Sequence, residues 1–209
     1  MLRSCAMFFG CISVLAQAAD TVPITVRLGT GSQIVDNGAT YSMPISALAS
    51  DASGNPVKVK LLTKATSTQY QKGQYEFSSP YGESPYWHPV YTIARRYPRF
   101  GCQSEDANRN GILDDGEDRN SNGLLDPGTV VSSPSSLVVD GSGTFAVTWP
   151  KAFSSWVMVV VVARATRPYS GSYRFSFVLP GAYDPNDPTV APSWSLSPFG
   201  VSSSCRDAQ

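Results

Sequence analysis

The sequence predicts an all-β chain folded as an antiparallel sandwich, and three observations carry that prediction. Short runs that alternate apolar and polar residues recur, such as VPITVRL from Val22 and VKVKLLTK from Val57, and period two is the mark of a half-buried strand. Turn residues separate the runs: Asp36-Asn37-Gly38, Ser53-Gly54-Asn55-Pro56 and Gly141-Ser142-Gly143 tolerate positive φ or preset a bend. Tyrosine, serine, proline and glycine are plentiful and a helical period is hard to find, the composition of an extracellular β protein.

In chain order, MLRSCAMFFGCISVLAQAAD places Arg3 before an apolar run from Cys5 to Leu15 and a small-residue site at Ala16-Gln17-Ala18. This reads as a secretory signal peptide over 1–18, because the run is too short to span a bilayer. Cys5 and Cys11 would leave with it. Cys102 and Cys205 then remain in the mature chain, and in an exported protein two cysteines most simply form one disulfide. The mature chain of about 190 residues suits one domain with a large insertion, or two small ones. We expect a sandwich over 19–180, an insertion at 65–128 and an extended tail at 181–209. Lys plus Arg and Asp plus Glu both number 16, for a formal net charge of zero, which argues against a nucleic-acid or acidic-membrane partner.

The early strands are VPITVRL and YSMPISALAS, the latter with Pro44 inside it, which suggests an edge strand or a bulge. After residue 129 the alternation resumes with SLVVD, TFAVTW, SSWVMVVVVARAT and GSYRFSFVLP. The apolar run from Trp156 to Ala163 predicts a central strand buried on both faces. The order of strand, Asp51-Ala52-Ser53-Gly54-Asn55-Pro56-Val57, strand, and later VDGSGTFAVT from Val139 to Thr148, resembles the bacterial Ig-like domains of the invasin and intimin type. The matching stretches are Val22 to Lys64 and Ser135 to Leu179. The resemblance implies an Ig-like sandwich with a structural or adhesive role at the cell surface.

The most specific motif lies at 105–129. From Asp106, oxygen-bearing side chains fall at positions 1, 3, 5, 9 and 12 (Asp106, Asn108, Asn110, Asp114, Glu117), with Gly111 at position 6 and the carbonyl of Ile112 at position 7. That is the EF-hand loop pattern, and hard oxygen donors without thiol or imidazole point to Ca²⁺. A second copy begins at the next residue, with Asp118, Asn120, Asn122, Gly123, the carbonyl of Leu124, and Asp126. Its twelfth residue is Thr129, so the second loop is expected to lack a closing acid and to bind the more weakly. Proline, glycine and serine flank the pair where an EF-hand has helices. In this the loops resemble the calcium repeats of thrombospondin type 3 and dockerin modules, which implies a metal-stapled segment rather than a switch. Seven of the 16 acidic residues lie between Glu105 and Asp126, with Arg95, Arg96 and Arg99 upstream.

Residues 69–100 are rich in rings: Tyr70, Tyr75, Phe77, Tyr81, Tyr86, Trp87, Tyr91, Tyr97 and Phe100. Such rings either cover a core or present a flat face to a sugar or a protein. His88, the one histidine, has no second histidine or cysteine nearby in sequence, and no G-x-S-x-G element is present, so a hydrolase is poorly supported. The proline-rich and serine-rich tail must bring Cys205 to Cys102, so it is expected to run back across the domain. The sequence therefore reads as an exported, calcium-binding, non-catalytic structural or adhesive module of the bacterial envelope or surface, periplasmic, surface-bound or extracellular. Its expected partner is a protein or glycan at the cell surface. The alternative is a carbohydrate-binding or enzyme-associated β module that uses residues 69–100.

Overall fold

A computed structural model describes residues 21–31, 33–93 and 100–208. The signal-peptide reading, with Cys5 and Cys11, falls outside the described residues, as do Arg95, Arg96, Tyr97 and Arg99. Among the described residues thirteen strands run in order: β1 (Val22–Pro23), β2 (Thr25–Thr30), β3 (Val35–Asp36), β4 (Thr40–Ser50), β5 (Lys58–Tyr70), β6 (Gly73–Ser78), β7 (Tyr86–Tyr91), β8 (Cys102–Gln103), β9 (Ser136–Asp140), β10 (Ser142–Pro150), β11 (Val157–Ala165), β12 (Tyr169–Ser170) and β13 (Ser172–Val178). Among the described residues the only helical element is a 3-10 turn at Lys151–Phe153, and no helix is long and apolar enough to cross a membrane.

The hydrogen-bonded order β13-β11-β5-β9-β10-β4-β2 folds into two layers. Strands β2, β4 and β10 form one layer, and β9, β5, β11 and β13 form the other. They are joined at one edge by the single pair Ser142–Asp140, where Gly141 takes φ 73° to reverse the chain. At the other edge β1 pairs in parallel with β12. Successive strand residues point to opposite faces, so Met43, Ile45, Ala47 and Ala49 of β4 and Val157, Val159, Val161 and Ala163 of β11 enter one shared core. This is the antiparallel all-β sandwich the alternating runs predict.

Three local expectations are revised. Strand β5 continues past Lys64 to Tyr70, so the first six residues assigned to the insertion belong to the sandwich. The alternation persists there through Ala65 and Ser67, which are less apolar but still pair with β11, and then shifts at a bulge opposite Met158 and Val159 so that Tyr70 is the next buried residue. Strand β11 is central, between β5 and β13, yet only one of its faces is fully buried; Met158, Val160 and Val162 are half-covered. Pro44 lies inside β4, at the gap where pairing with β2 ends at Ile45 and pairing with β3 begins at Ser42. A residue without an N–H is tolerated at such a gap.

Strands β6 and β7 form a hairpin whose rings close the end of the core. Tyr75, 7% exposed, and Tyr91 both meet the fully buried Trp156 edge-on, with centroids 5.9 and 5.8 Å apart. Of the described rings in the segment, Tyr70, Tyr75 and Phe100 are buried and Trp87 and Tyr91 pack against the core, while Phe77 and Tyr86 are half-buried and Tyr81 is 85% exposed. The tail does run back. Ser195 O accepts from Tyr75 N at 2.6 Å, Gly200 O accepts from Gly73 N at 2.9 Å, and Ser197 Oγ donates to Gln71 O at 2.7 Å. Trp194 and Phe199 are buried by this lacing, and Lys72 Nζ donates to Asp207 O. Cys205 reaches Cys102 in a disulfide with Cα atoms 5.5 Å apart.

Candidate metal centre

The paired loops fill a gap along the free edge of β5. Before them, β8 pairs with the end of that strand at Gln69 and Tyr70, and Ser104 N donates to Thr68 O at 2.9 Å. After them, Thr63 N donates to Ser135 O at 3.0 Å, and β9 then pairs with Lys58–Leu62. Both ends of the segment are thus fixed to one strand, and the disulfide secures the entry at Cys102.

Within the first loop the side chains at positions 1, 3, 5 and 9 converge. Asp106 Oδ1 accepts from Asn110 N at 2.9 Å, and its Oδ2 accepts from Gly111 N at 3.1 Å. Asn108 and Asn110 both donate from Nδ2 to Asp114 Oδ2 at 2.7 Å. Gly111, at φ 79°, permits the bend that a Cβ would oppose. The second loop repeats the set. Asp118 accepts from Asn122 N at 3.1 Å and from Gly123 N at 2.9 Å, while Asn120 and Asn122 donate to Asp126 Oδ2 at 2.8 Å. Ile112 and Leu124 hold their side chains in solvent, 62% and 63% exposed, as befits residues whose motif role is a main-chain carbonyl. Positive φ recurs at matching places too, at Arg109 and Ser121, Gly111 and Gly123, Gly116 and Gly128.

A glutamate outside each set of converging side chains holds each loop. Glu117 Oε1 accepts from Ala107 N at 2.9 Å, its Oε2 accepts from Asp114 N at 3.1 Å, and its own N–H donates to Asp114 O at 3.1 Å. It therefore clasps the first loop at positions 2 and 9. The same clasp on the second loop is made by Glu105: Oε1 accepts from Arg119 N at 2.9 Å, Oε2 accepts from Asp126 N at 3.0 Å, and its N–H donates to Asp126 O at 2.7 Å. Thr129 instead lies beside the first loop, its Oγ1 4.0 Å from where a Cβ on Gly111 would stand. A frame that starts at Asp106 hides this. A frame that starts one residue earlier shows EDANRNGILDDG followed by EDRNSNGLLDPG, and each copy opens with the glutamate that clasps the other.

Electrostatically the segment is a concentration of negative charge against the sandwich wall. Burial raises the Glu105 carboxyl pKa, while the N–H groups of Asp126, Arg119 and Asn120 oppose that shift. Burial also raises the phenol pKa of Tyr70 on β5, with the nearby charges of Glu105 and Asp126 adding to it. Among the described residues no three His, Cys, Asp or Glu side chains gather as a metal-holding group. What the two loops bring together are carboxylates and asparagine amides. His88 lies on β7, its Nδ1 3.1 Å from Tyr86 O and its ring against that of Tyr86, away from the loop residues.

Comparison with protein-family models finds no match. No curated protein matches either. Among solved structures, a DUF4466 family protein from Parabacteroides merdae ATCC 43184 is similar at a TM-score of 0.25 and 11% identity, over 78% of this chain and 45% of that chain. The present chain thus spans less than half of that protein, and a likeness at this level carries no argument about fold or function.

Proposed function

We propose that this chain is an exported Ig-like module of the bacterial cell envelope or surface, of the invasin and intimin type, in which Ca²⁺ sets the paired loops as a rigid element on the sandwich edge. Its role is structural or adhesive, and it is not catalytic. The observation that carries the reading is the repetition of one arrangement at Asp106, Asn108, Asn110 and Asp114 and again at Asp118, Asn120, Asn122 and Asp126. Two copies of one ligand spacing with one backbone conformation are far more specific than a polar turn. A disulfide closing 103 residues of sequence supports an oxidising compartment, in keeping with a leader peptide at 1–18. The partner is a protein or glycan at the cell surface.

The test is calorimetric titration of chelator-stripped protein with Ca²⁺, alongside thermal melts. Binding heat at or below about 1 mM, the range of extracellular calcium modules, together with a raised Tm, is the expected result. No heat at millimolar Ca²⁺ and an unmoved Tm would remove the calcium reading. A glycan array and a pull-down from envelope extracts address the partner. Turnover of an ester, peptide or glycoside that is lost in His88→Ala would overturn the non-catalytic assignment.

A further inference from the structure

We propose that the two calcium loops are closed reciprocally, with Glu105 the twelfth-position ligand of the second site as Glu117 is of the first. The inference rests on the calcium reading above and goes beyond it, because the ligand spacing of the second loop ends at Asp126 and assigns no acid to its last place. Two independent observations point to Glu105.

The first is geometric equivalence. Three contacts define how Glu117 sits on the first loop: one carboxylate oxygen on the position 2 N–H, the other on the position 9 N–H, and its own N–H on the position 9 carbonyl. Glu105 makes the same three contacts on the second loop. It does so from 21 residues before Asp126, whereas Glu117 comes three residues after Asp114. Two glutamates so held point their carboxylates at equivalent places. If one place is the bidentate position of an EF-hand loop, so is the other.

The second observation concerns charge. Glu105 is 0% exposed, and the basic side chain whose charge acts on it, Lys72, is itself buried and donates to Asp207 O rather than to the carboxylate. A carboxylate removed from water is stable only when it is paired, protonated or bound to a metal. Main-chain N–H groups of Arg119, Asp126 and Asn120 use part of its capacity without filling it. A divalent cation held by Asp118, Asn120, Asn122 and the Leu124 carbonyl would supply the missing positive charge. The second loop would then have three carboxylates, Asp118, Asp126 and Glu105, as many as the first, and the two sites should bind with similar affinity.

The experiment uses the oxidised mature protein, stripped with chelator and titrated with CaCl₂, and reads the loops separately by the amide resonances of Gly111 and Gly123. These N–H groups donate to Asp106 Oδ2 and Asp118 Oδ2 respectively, so each reports its own site. In the unmodified protein both should shift over a similar range; if neither shifts at 10 mM CaCl₂ (about ten times the upper range for extracellular sites), the calcium reading itself fails. In Glu105→Gln the Gly123 response should move to at least about tenfold higher Ca²⁺, the scale on which ligand-sphere groups act, while Gly111 titrates as before. Glu117→Gln should do the converse. An unmoved Gly123 response in Glu105→Gln would overturn reciprocal closure and leave calcium binding standing. Loss of both responses together would also overturn it, since Glu105 would then be supporting the pair as a whole. Should the Gln variant fail to fold, Glu105→Asp keeps the charge and shortens the arm. It is read in the same way, with an expected weakening of at least a few-fold at Gly123 alone.

Discussion

The sandwich walls bury Ile45, Leu61, Val147, Val159 and Trp156 completely, whereas the paired loops leave Ile112 and Leu124 in solvent and bury Glu105, Asn120 and Asp126 instead. One region is held by removing apolar surface from water, a force that is non-directional and indifferent to salts of calcium. The other has side-chain oxygens arranged on backbone N–H groups, and in it like charges stand close together, so its integrity depends on what neutralises them. The contrast teaches that one chain can carry two stabilities with separate controls. Each prediction below acts on one region and tests whether the other follows.

The largest effect is expected in the wall. Trp156 meets Tyr75 and Tyr91 and donates to Trp194 O at 2.8 Å, so Trp156→Ala should cost roughly 3–5 kcal/mol. Chemical denaturation should show that loss equally with Ca²⁺ and with chelator; a loss found only in chelator would merge the two regions. Next, removing the Cys102–Cys205 bridge should cost about 2–4 kcal/mol. The chain-entropy figure for a closed loop of this length is near the top of that range or above it, but Trp194, Phe199 and Ser197 already dock the tail. Cys102→Ala/Cys205→Ala melts check this, and free-thiol titration of the unreduced, denatured protein should find none.

Metal removal comes third. At free Ca²⁺ about ten times the dissociation constant, one site contributes about 1.4 kcal/mol by mass action. The sharper readout is proteolysis, which should cut within 105–129 in chelator and spare that segment in Ca²⁺, with the sandwich intact in both. The smallest effect belongs to Lys151–Asp36, whose 2.7 Å contact ties the 3-10 turn to β3. The lysine hydrogen bond, then the Gly38 N–H, lowers the Asp36 pKa. A depressed carboxylate pKa stabilises above the unfolded-state value near 3.9, and the contribution fades as pH falls through the folded-state value. The pair is exposed, so Asp36→Asn should shift Tm barely at pH 7, and the difference should fade as pH falls through the lowered folded-state pKa of Asp36.

Much of this molecule was legible because its signals are local. Strand alternation, the Gly141 turn and the ligand spacing from Asp106 each occupy a dozen residues or fewer. Cys102 and Cys205, the two cysteines outside the stretch read as a leader, pair. What escaped depends on contacts distant in sequence. SLVVD and TFAVTW, joined by a tight turn, look like an ordinary hairpin, yet β9 gives its ladder to β5 and meets β10 at one pair. The proline-rich tail has no period from which its lacing to β6 could be read. Glu105 escaped because the EF-hand frame starts with an aspartate and looks forward, while its partners, Arg119 and Asp126, lie 14 and 21 residues away. The shared Glu-Asp opening of the two copies was the available clue.

The disulfide has a mechanical consequence. A pull on the chain beyond Cys205 does not peel the tail from the hairpin; it passes through the covalent bridge to Cys102, at the base of the paired loops. The chain between the two cysteines, which are 103 positions apart, cannot pay out under load, which withholds roughly 350 Å of contour length at about 3.4 Å per residue. Between a tether on the N-terminal side and an anchor beyond Cys205, only the strands from β1 to the start of β8 can unravel. The β9–β13 half, the tail up to Cys205 and the paired loops lie within the closed ring and are shielded from extension.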